Sequence, residues 1–371
     1  MAKSSWTFWL GRMDHWLLLM VMALMVIGVL FIYSAAWVGD GLPVPGFYRR
    51  QMLWGAGGLV GYLTLMRLDY RQIASAAWLL YAIGLALLVL VLFVGEAVHG
   101  ARRWLNLLGL QVQPAEFAKL STLLVLARYL AAPGTQMASW KTLLTSGMIV
   151  GAPFLLIQAQ PDLGTAVVLL PIAGAMIFVA GMPLRRIAFL LCVGALLLPV
   201  GWVFALSDYQ QERVRVFFDP GRDPLGAGWN KMQSEIAVGS GGLTGKGYLE
   251  GTQNVLGFLP RSVAPTDFIY SVIAEETGFV GSAIVLSLYA GVMLAVGRAA
   301  LVSRDRLGRL IAVGVAALLF CHVAVNIAMT IGLMPITGLP LPLISYGGSF
   351  MISTLCALGL VQSVFVRRIR R

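Results

Sequence analysis

The stretch LPRSVAPTDFIYSVIAEETGFVG, residues 259–281, passes from polar into apolar sequence and takes three carboxylates with it, Asp267, Glu275 and Glu276. The apolar character continues to Arg298, and as one helix the segment would be about 50 Å long, well beyond the ~30 Å hydrocarbon core of a bilayer. It therefore reads as a membrane span whose beginning projects outward or breaks near Gly278. Thr266 is placed to cap it, with Asp267 in the first turn, where the positive end of the helix dipole favours an anion. Glu275, about two turns further on, falls on the side of Asp267, and Glu276 points roughly opposite.

The rest of the chain supports a membrane reading. Of 371 residues, 59% are hydrophobic and 12% charged, with a mean hydropathy of +0.84, which is outside the balance of a soluble domain. Runs long enough to span a bilayer fall at roughly 16–36, 51–66, 75–95, 113–131, 142–158, 163–181, 187–206, 267–298, 309–334 and 346–366. The first exceeds the apolar length of a signal peptide. The expected fold is thus all-α and polytopic, with about ten transmembrane helices in a single unit over 1–371. A large outer loop, 207–266, joins the seventh and eighth.

Charge fixes the orientation. Sixteen Lys and Arg residues, from Lys3 to Arg371, fall on the side of the two termini, against Arg49, Arg50, Arg102 and Arg103 in the short loops of the other side. The positive-inside rule puts both termini in the cytoplasm. The net charge of +11 is then mainly a topology signal, and no basic helix interleaved with aromatics points to nucleic acid. Cys192, Cys321 and Cys356 have neither metal-ligand nor disulfide spacing. His15, His99 and His322 are scattered, so no zinc motif or local His–nucleophile pairing can be read. Any chemistry falls to carboxylates and cations.

The 207–266 loop is far longer than an ordinary helix connection, yet it carries aromatics and aliphatics throughout, and its six acids balance six bases. Within it GSGGLTGKG, Gly239–Gly247, lacks the Walker spacing. It reads as a tight turn, or as a backbone cradle in which Lys246 meets a phosphate. Glu116 and Lys119 in QPAEFAKL are three residues apart on one helix face. Each would cost about 2.5–3.5 kcal/mol unpaired at the centre of a span, so they are expected to pair and face a cavity, as a site or as a structural ion pair. Gln160-Pro161-Asp162 is a hairpin turn or the lip of a pocket. Arg102-Arg103-Trp104 places two cations and an interfacial aromatic in the loop before the fourth span.

QPAEFAKL, AQPDLGTA, DPLGAGWNKMQSEIAVGSGGLTGKGYLEGTQ, PTDFIYSVIAEETG and GLPLPLISYGGS, in this order and spacing, resemble the SEDS family of shape, elongation, division and sporulation proteins. The likeness runs from the first span to the tenth and is nearer the elongation branch than the division branch. It implies a peptidoglycan glycosyltransferase of the bacterial inner membrane. Such an enzyme polymerises lipid II at the outer surface beside a class B penicillin-binding protein, the crosslinking transpeptidase. It also implies Asp267 as the catalytic residue, with Glu116, Lys119 and Asp162 matching further family motifs. Relatives commonly carry LPExHTDF, whereas this chain has LPRSVAPTDF, two residues longer and without the Glu and His, so no role for those two side chains carries over.

The reaction implied needs a base and positive charge. Asp267 would deprotonate the acceptor hydroxyl, and the departing pyrophosphate would be met by cations drawn from Arg102, Arg103, Lys119, Arg213, Arg215 and Lys246. Trp104, Gln160, Thr266 and Glu275 complete the expected substrate-binding set. No cofactor is demanded; a divalent ion is left open as a further charge on the pyrophosphate, though the sequence shows no dedicated cage for one. The rival class is a lipid II flippase, because charge pairs and a Pro-broken hairpin also suit a transporter. Against it, no internal repeat of broken segments is visible, and the polar motifs gather on the outer side.

Overall fold

A computed structural model describes residues 9–37, 46–98, 101–107, 110–204 and 206–368. Of the residues named above, Lys3, His99 and Arg371 lie outside them. Each of the ten expected spans corresponds to one helix: α1 His15–Ala35, α2 Phe47–Arg67, α4 Ala77–Val94, α5 Pro114–Ala131, α6 Trp140–Gln158, α7 Leu163–Val179, α8 Leu184–Phe204, α12 Ile269–Leu301, α13 Arg306–Thr330 and α14 Gly348–Val366. A short α3, Tyr70–Ser75, links α2 to α4. Seven of the ten are long and apolar enough to cross a bilayer. The other three are α2, diluted by Arg49, Arg50 and Arg67; α5, which carries Glu116, Lys119 and Arg128; and α7, which is apolar but has 17 residues. The chain is a multi-pass, mainly helical membrane protein.

Exposed side chains on the outer helices are apolar, such as Leu19 and Val26 on α1 and Leu79 and Phe93 on α4, the arrangement lipid requires. Around α5, α13 and α14 the pattern inverts, and polar side chains are buried: Glu116, Lys119, His322, Asn326, Ser353 and Gln362. Small residues let α14 approach α2, since a Cβ on Gly359 would stand 2.7 Å from the Tyr62 carbonyl oxygen. Close backbone contact of this kind drives helix association in membranes, where the solvent is itself apolar.

Two connections are more structured than loops. Between α4 and α5 runs a three-stranded antiparallel sheet of β1 Glu96–Val98, β2 Ala101–Leu107 and β3 Leu110–Val112. Arg102, Arg103 and Trp104 lie on its central strand rather than in a plain loop; Ala97 pairs with Arg102 and Glu96 with Trp104, so Arg103 is the extra residue of a register shift. Between α8 and α12 the chain forms α9 Asp208–Phe218, α10 Ala227–Ser240 and α11 Thr252–Val255. A capping box of Ser207 and Gln210 starts α9.

The expected break in the long helix α12 is at Gly278, whose φ of 64° and ψ of −158° interrupt it. The glycine-rich segment enters that break. Lys246 and Gly247 N–H groups donate to the Glu275 and Glu276 carbonyls, while Phe279 and Val280 N–H groups donate to Gly242 and Leu243 carbonyls, at 2.8–3.0 Å. Four backbone groups freed by the break are thereby satisfied. Gly239–Gly247 is neither a free surface turn nor an open anion cradle. A Cβ on Gly278 would stand 2.4 Å from the Gly245 nitrogen, at a φ that L residues avoid. Gly278→Ala is expected to destabilise by more than the ~1–3 kcal/mol of the backbone conformation alone, measured as a drop in unfolding temperature in detergent.

Candidate active site

The approach to Asp267 is set by stacked turns around one carbonyl. The Val263 oxygen accepts from the N–H groups of Thr266, Asp267 and Phe268 and from the Thr266 hydroxyl. The helix begins only at Ile269, with Phe268 at its cap position and no side-chain cap. Thr266 is therefore not the N-cap, and Asp267 precedes the first turn instead of sitting in it. Val263-Ala264-Pro265 supplies these turns and consumes the hydroxyl that would have capped.

The backbone on either side of Asp267 is held from outside. The Pro265 carbonyl accepts from Tyr346 N at 2.8 Å, the Thr266 carbonyl from the Ser345 hydroxyl at 2.5 Å, and the Asp267 carbonyl from Asn326 Nδ2 at 2.9 Å. Three consecutive carbonyls are thus tied to α13 and to the connector between α13 and α14. No described hydrogen bond ends on the Asp267 carboxylate itself. The residue is half-buried, and its carboxylate lies beside Gly338 of the connector. A Cβ there would be 3.6 Å from Asp267 Oδ2 and 3.7 Å from Arg213 Nη1. Both are ordinary contact distances, so it is the backbone, with a φ of 75°, and not space that calls for glycine here.

Arg213 projects from α9. It donates to the Ile336 carbonyl at 3.0 Å, and its guanidinium carbon stands 4.7 Å from the centre of the Tyr209 ring. Arg103, from β2, donates to the Gln160 and Pro161 carbonyls and lies 3.9 Å from Asp162. Asp162 caps α7 by accepting from Thr165 N, and also accepts from Gln113 Nε2 at 3.3 Å. Gly164 in that turn abuts the Thr337 carbonyl of the same connector. Asp267 feels the charges of Arg213, Asp162 and Arg103. Burial pushes the Asp267 carboxyl up to about 6, opposed by Arg213, raised further by Asp162 and opposed by Arg103.

Other expected site residues stand apart. Glu275 turns to Lys246, whose ammonium is 2.7 Å away, and accepts from Thr252 Oγ1 and Gln253 N. Glu276 accepts from the Ser34 hydroxyl. The periodicity that placed Glu275 beside Asp267 fails because Asp267 lies outside the helix. Lys246 is occupied by Glu275 and Thr252. Arg102 is exposed and donates to the Leu92 and Phe93 carbonyls, and Trp104 is half-buried opposite Glu96. Gln160 is buried, with Nε2 on the Leu88 carbonyl.

Glu116 and Lys119 do pair, at 2.9 Å, and both are buried. Lys119 also meets His322 Nε2 at 2.9 Å, and Glu116 accepts from the Ser353 hydroxyl at 3.2 Å. Sequence spacing missed His322 and Asn326, which lie one turn apart on α13. A His and an Asn within an apolar helix were the signal, because buried polar groups require partners. Among the described residues no group of three His, Cys, Asp or Glu is placed to hold a metal ion. Asp162 and Asp267, flanked by two guanidiniums, make a poor cage for one.

Residues 14–369 match the family described as cell cycle proteins, FtsW, RodA and SpoVE. The chain belongs to the FtsW/RodA/SpoVE family. The peptidoglycan glycosyltransferase MrdB of Escherichia coli K12 is 39% identical over 363 residues, covering 98% of this chain and 96% of that protein. The peptidoglycan glycosyltransferase RodA of Treponema pallidum is 35% identical over 429 residues, covering 96% and 98%. The crystal structure of the rod shape determining protein RodA of Thermus thermophilus superposes with a TM-score of 0.72 at 33% identity, over 97% of this chain and 98% of that one. A chain in a structure described as a peptidoglycan synthase complex coordinating polymerization and crosslinking gives 0.80 at 34% identity, over 97% and 99%. The connector that carries Gly338 lies within this family match.

Proposed function

We propose that this FtsW/RodA/SpoVE-family protein is a peptidoglycan glycosyltransferase that polymerises lipid II into β-1,4-linked strands at the outer face of the bacterial inner membrane. In this reading both termini are cytoplasmic and 207–266 is an outer loop within one unit, 1–371. The observation that carries the mechanism is the Asp267 carboxylate, half-buried, unoccupied by any hydrogen bond among the described residues and flanked by Arg213. It takes the proton of the acceptor sugar's 4-hydroxyl as general base. The hydroxyl oxygen bonds to the donor's anomeric carbon, and the bond from that carbon to phosphate breaks. Its electron pair leaves on undecaprenyl pyrophosphate, and attack opposite the leaving group inverts the configuration. The leaving group departs as a stable anion, so it needs neighbouring positive charge rather than the second, protonating carboxylate of a glycosidase. Arg213 and Arg103 are the cations nearest the task.

The relatives' names support the glycosyltransferase over the flippase, and the polymerization and crosslinking complex supports a class B penicillin-binding protein as partner. Glycan-strand synthesis from lipid II by the full chain in detergent, with that partner, tests the reading, because no membrane remains to be crossed. Absence of polymer under conditions where the folded complex binds lipid II overturns it. Arg213→Gln sharpens the test. Arg213 holds the Asp267 carboxyl down, so its loss raises that group further. The acid limb of the pH–rate profile is expected to move to higher pH, alongside a fall in rate at neutrality.

A further inference from the structure

The buried ion pair of α5 is not isolated from the site. His322 Nδ1 faces the Pro340 carbonyl at 3.2 Å. A carbonyl only accepts, so Nδ1 carries the proton, and Nε2 is left to accept from the Lys119 ammonium. Lys119 therefore donates both to Glu116 and to His322, and His322 donates onward to Pro340. One turn along the same helix, the Asn326 amide divides its two N–H donors between the Leu339 carbonyl at 2.8 Å and the Asp267 carbonyl at 2.9 Å. Gly338, Leu339 and Pro340 are consecutive. The first lies against the Asp267 carboxylate and Arg213, and the other two are gripped by Asn326 and His322.

We propose that Asn326 and His322 are positioning residues for the transfer, fixing the Gly338–Pro340 backbone and the Asp267 main chain in one register. On this view the ion pair Glu116–Lys119 acts on the site through His322 and not by touching substrate. The proposal rests on Asp267 being the base of the reaction above. Its physical basis is rigidity. Asn326 is fully buried on α13, and both of its acceptors are backbone atoms, so the amide sets where two separate chain segments lie relative to each other. Displacing a reacting group by about 1 Å can cost about 100-fold in rate, whereas substrate binding spread over a lipid-linked disaccharide is changed little by such a shift.

The test uses the purified full chain with its partner and lipid II, measuring kcat, KM, the pH–rate profile and the unfolding temperature. Asn326→Leu, which keeps the volume and removes the donors, is expected to lower kcat about tenfold or more, with KM nearly unchanged and the acid limb displaced. His322→Leu is expected to give a smaller kcat loss. His322→Asn, which can still donate toward Pro340, is expected to recover part of it. If the folded Asn326→Leu keeps the wild-type kcat and pH profile, the positioning role is overturned. The same holds if both His322 variants lose activity only in proportion to lost folded protein, and this arm stands even where Asn326→Leu does not fold. Asp267→Ala run in parallel separates the two ideas. If it stays active, the assignment of the base fails. If it is inactive while Asn326→Leu behaves as wild type, only the positioning role fails.

Discussion

Asp267→Asn is expected to reduce polymer formation by about 10²–10⁴-fold, the usual contribution of a general base, while leaving the protein folded and able to bind lipid II. The substitution is isosteric, and the contacts that fix this residue run through its main chain to Val263 and Asn326, so they survive. Burial holds the wild-type carboxyl at about 6, which makes it a stronger base than an ordinary carboxylate yet still ionised at neutrality. The rate should therefore fall as pH drops through about 6. The sign for stability is opposite. A carboxyl raised in the folded state favours folding when protonated and opposes it when ionised, so this contribution is lost as pH rises through about 6. The Asn variant should accordingly be at least as stable as wild type at pH 7, a trade of stability against activity common at catalytic sites. Unfolding temperatures of both proteins in detergent between pH 5 and pH 8 check the sign, and strand synthesis at pH 7 checks the base. Retained synthesis would remove Asp267 from the mechanism.

The spans are legible because apolar runs of about 20 residues have few alternative fates, and helix length alone called for an outward projection or a break near Gly278, of which the fold shows the break. Details at the site were less so. Thr266 has the chemistry of an N-cap, but Pro260 and the Val263 carbonyl form a turn before the helix can begin there, and this competition is not visible from residue type. The same shift moved Glu275 away from Asp267 and toward Lys246. Arg103, Asp162 and Arg213 were named from charge and position, and the fold does bring them to Asp267. What no spacing could supply is the connector from Ile331 to Gly347, which touches α7, α9, α13 and the Asp267 turn together. Its role depends on contacts between elements far apart in sequence, and its own residues are mostly apolar and uncharged, so GLPLPLISYGGS within it marks the family resemblance without indicating what it touches.

Lys119→Met is expected to destabilise the protein by about 3–5 kcal/mol, the cost of breaking a buried ion pair from one side. The Met fills much of the lysine's volume, so the loss is electrical rather than a cavity. Among the described residues the Glu116 carboxylate would keep only the Ser353 hydroxyl at 3.2 Å, and His322 Nε2 would lose its donor. Hydrocarbon around the bundle offers no water to either. Glu116→Gln together with Lys119→Met removes both charges, and it should recover a substantial part of the stability, because desolvating two ions is itself unfavourable. The double-variant cycle, read from unfolding temperatures in detergent, isolates the coupling between the two residues. Additive effects would mean that the pair is not the buried unit described. A stable double variant that remains slow in strand synthesis would show instead that the charges serve the site: Pro340 would still have His322, but without the ammonium that orients its ring.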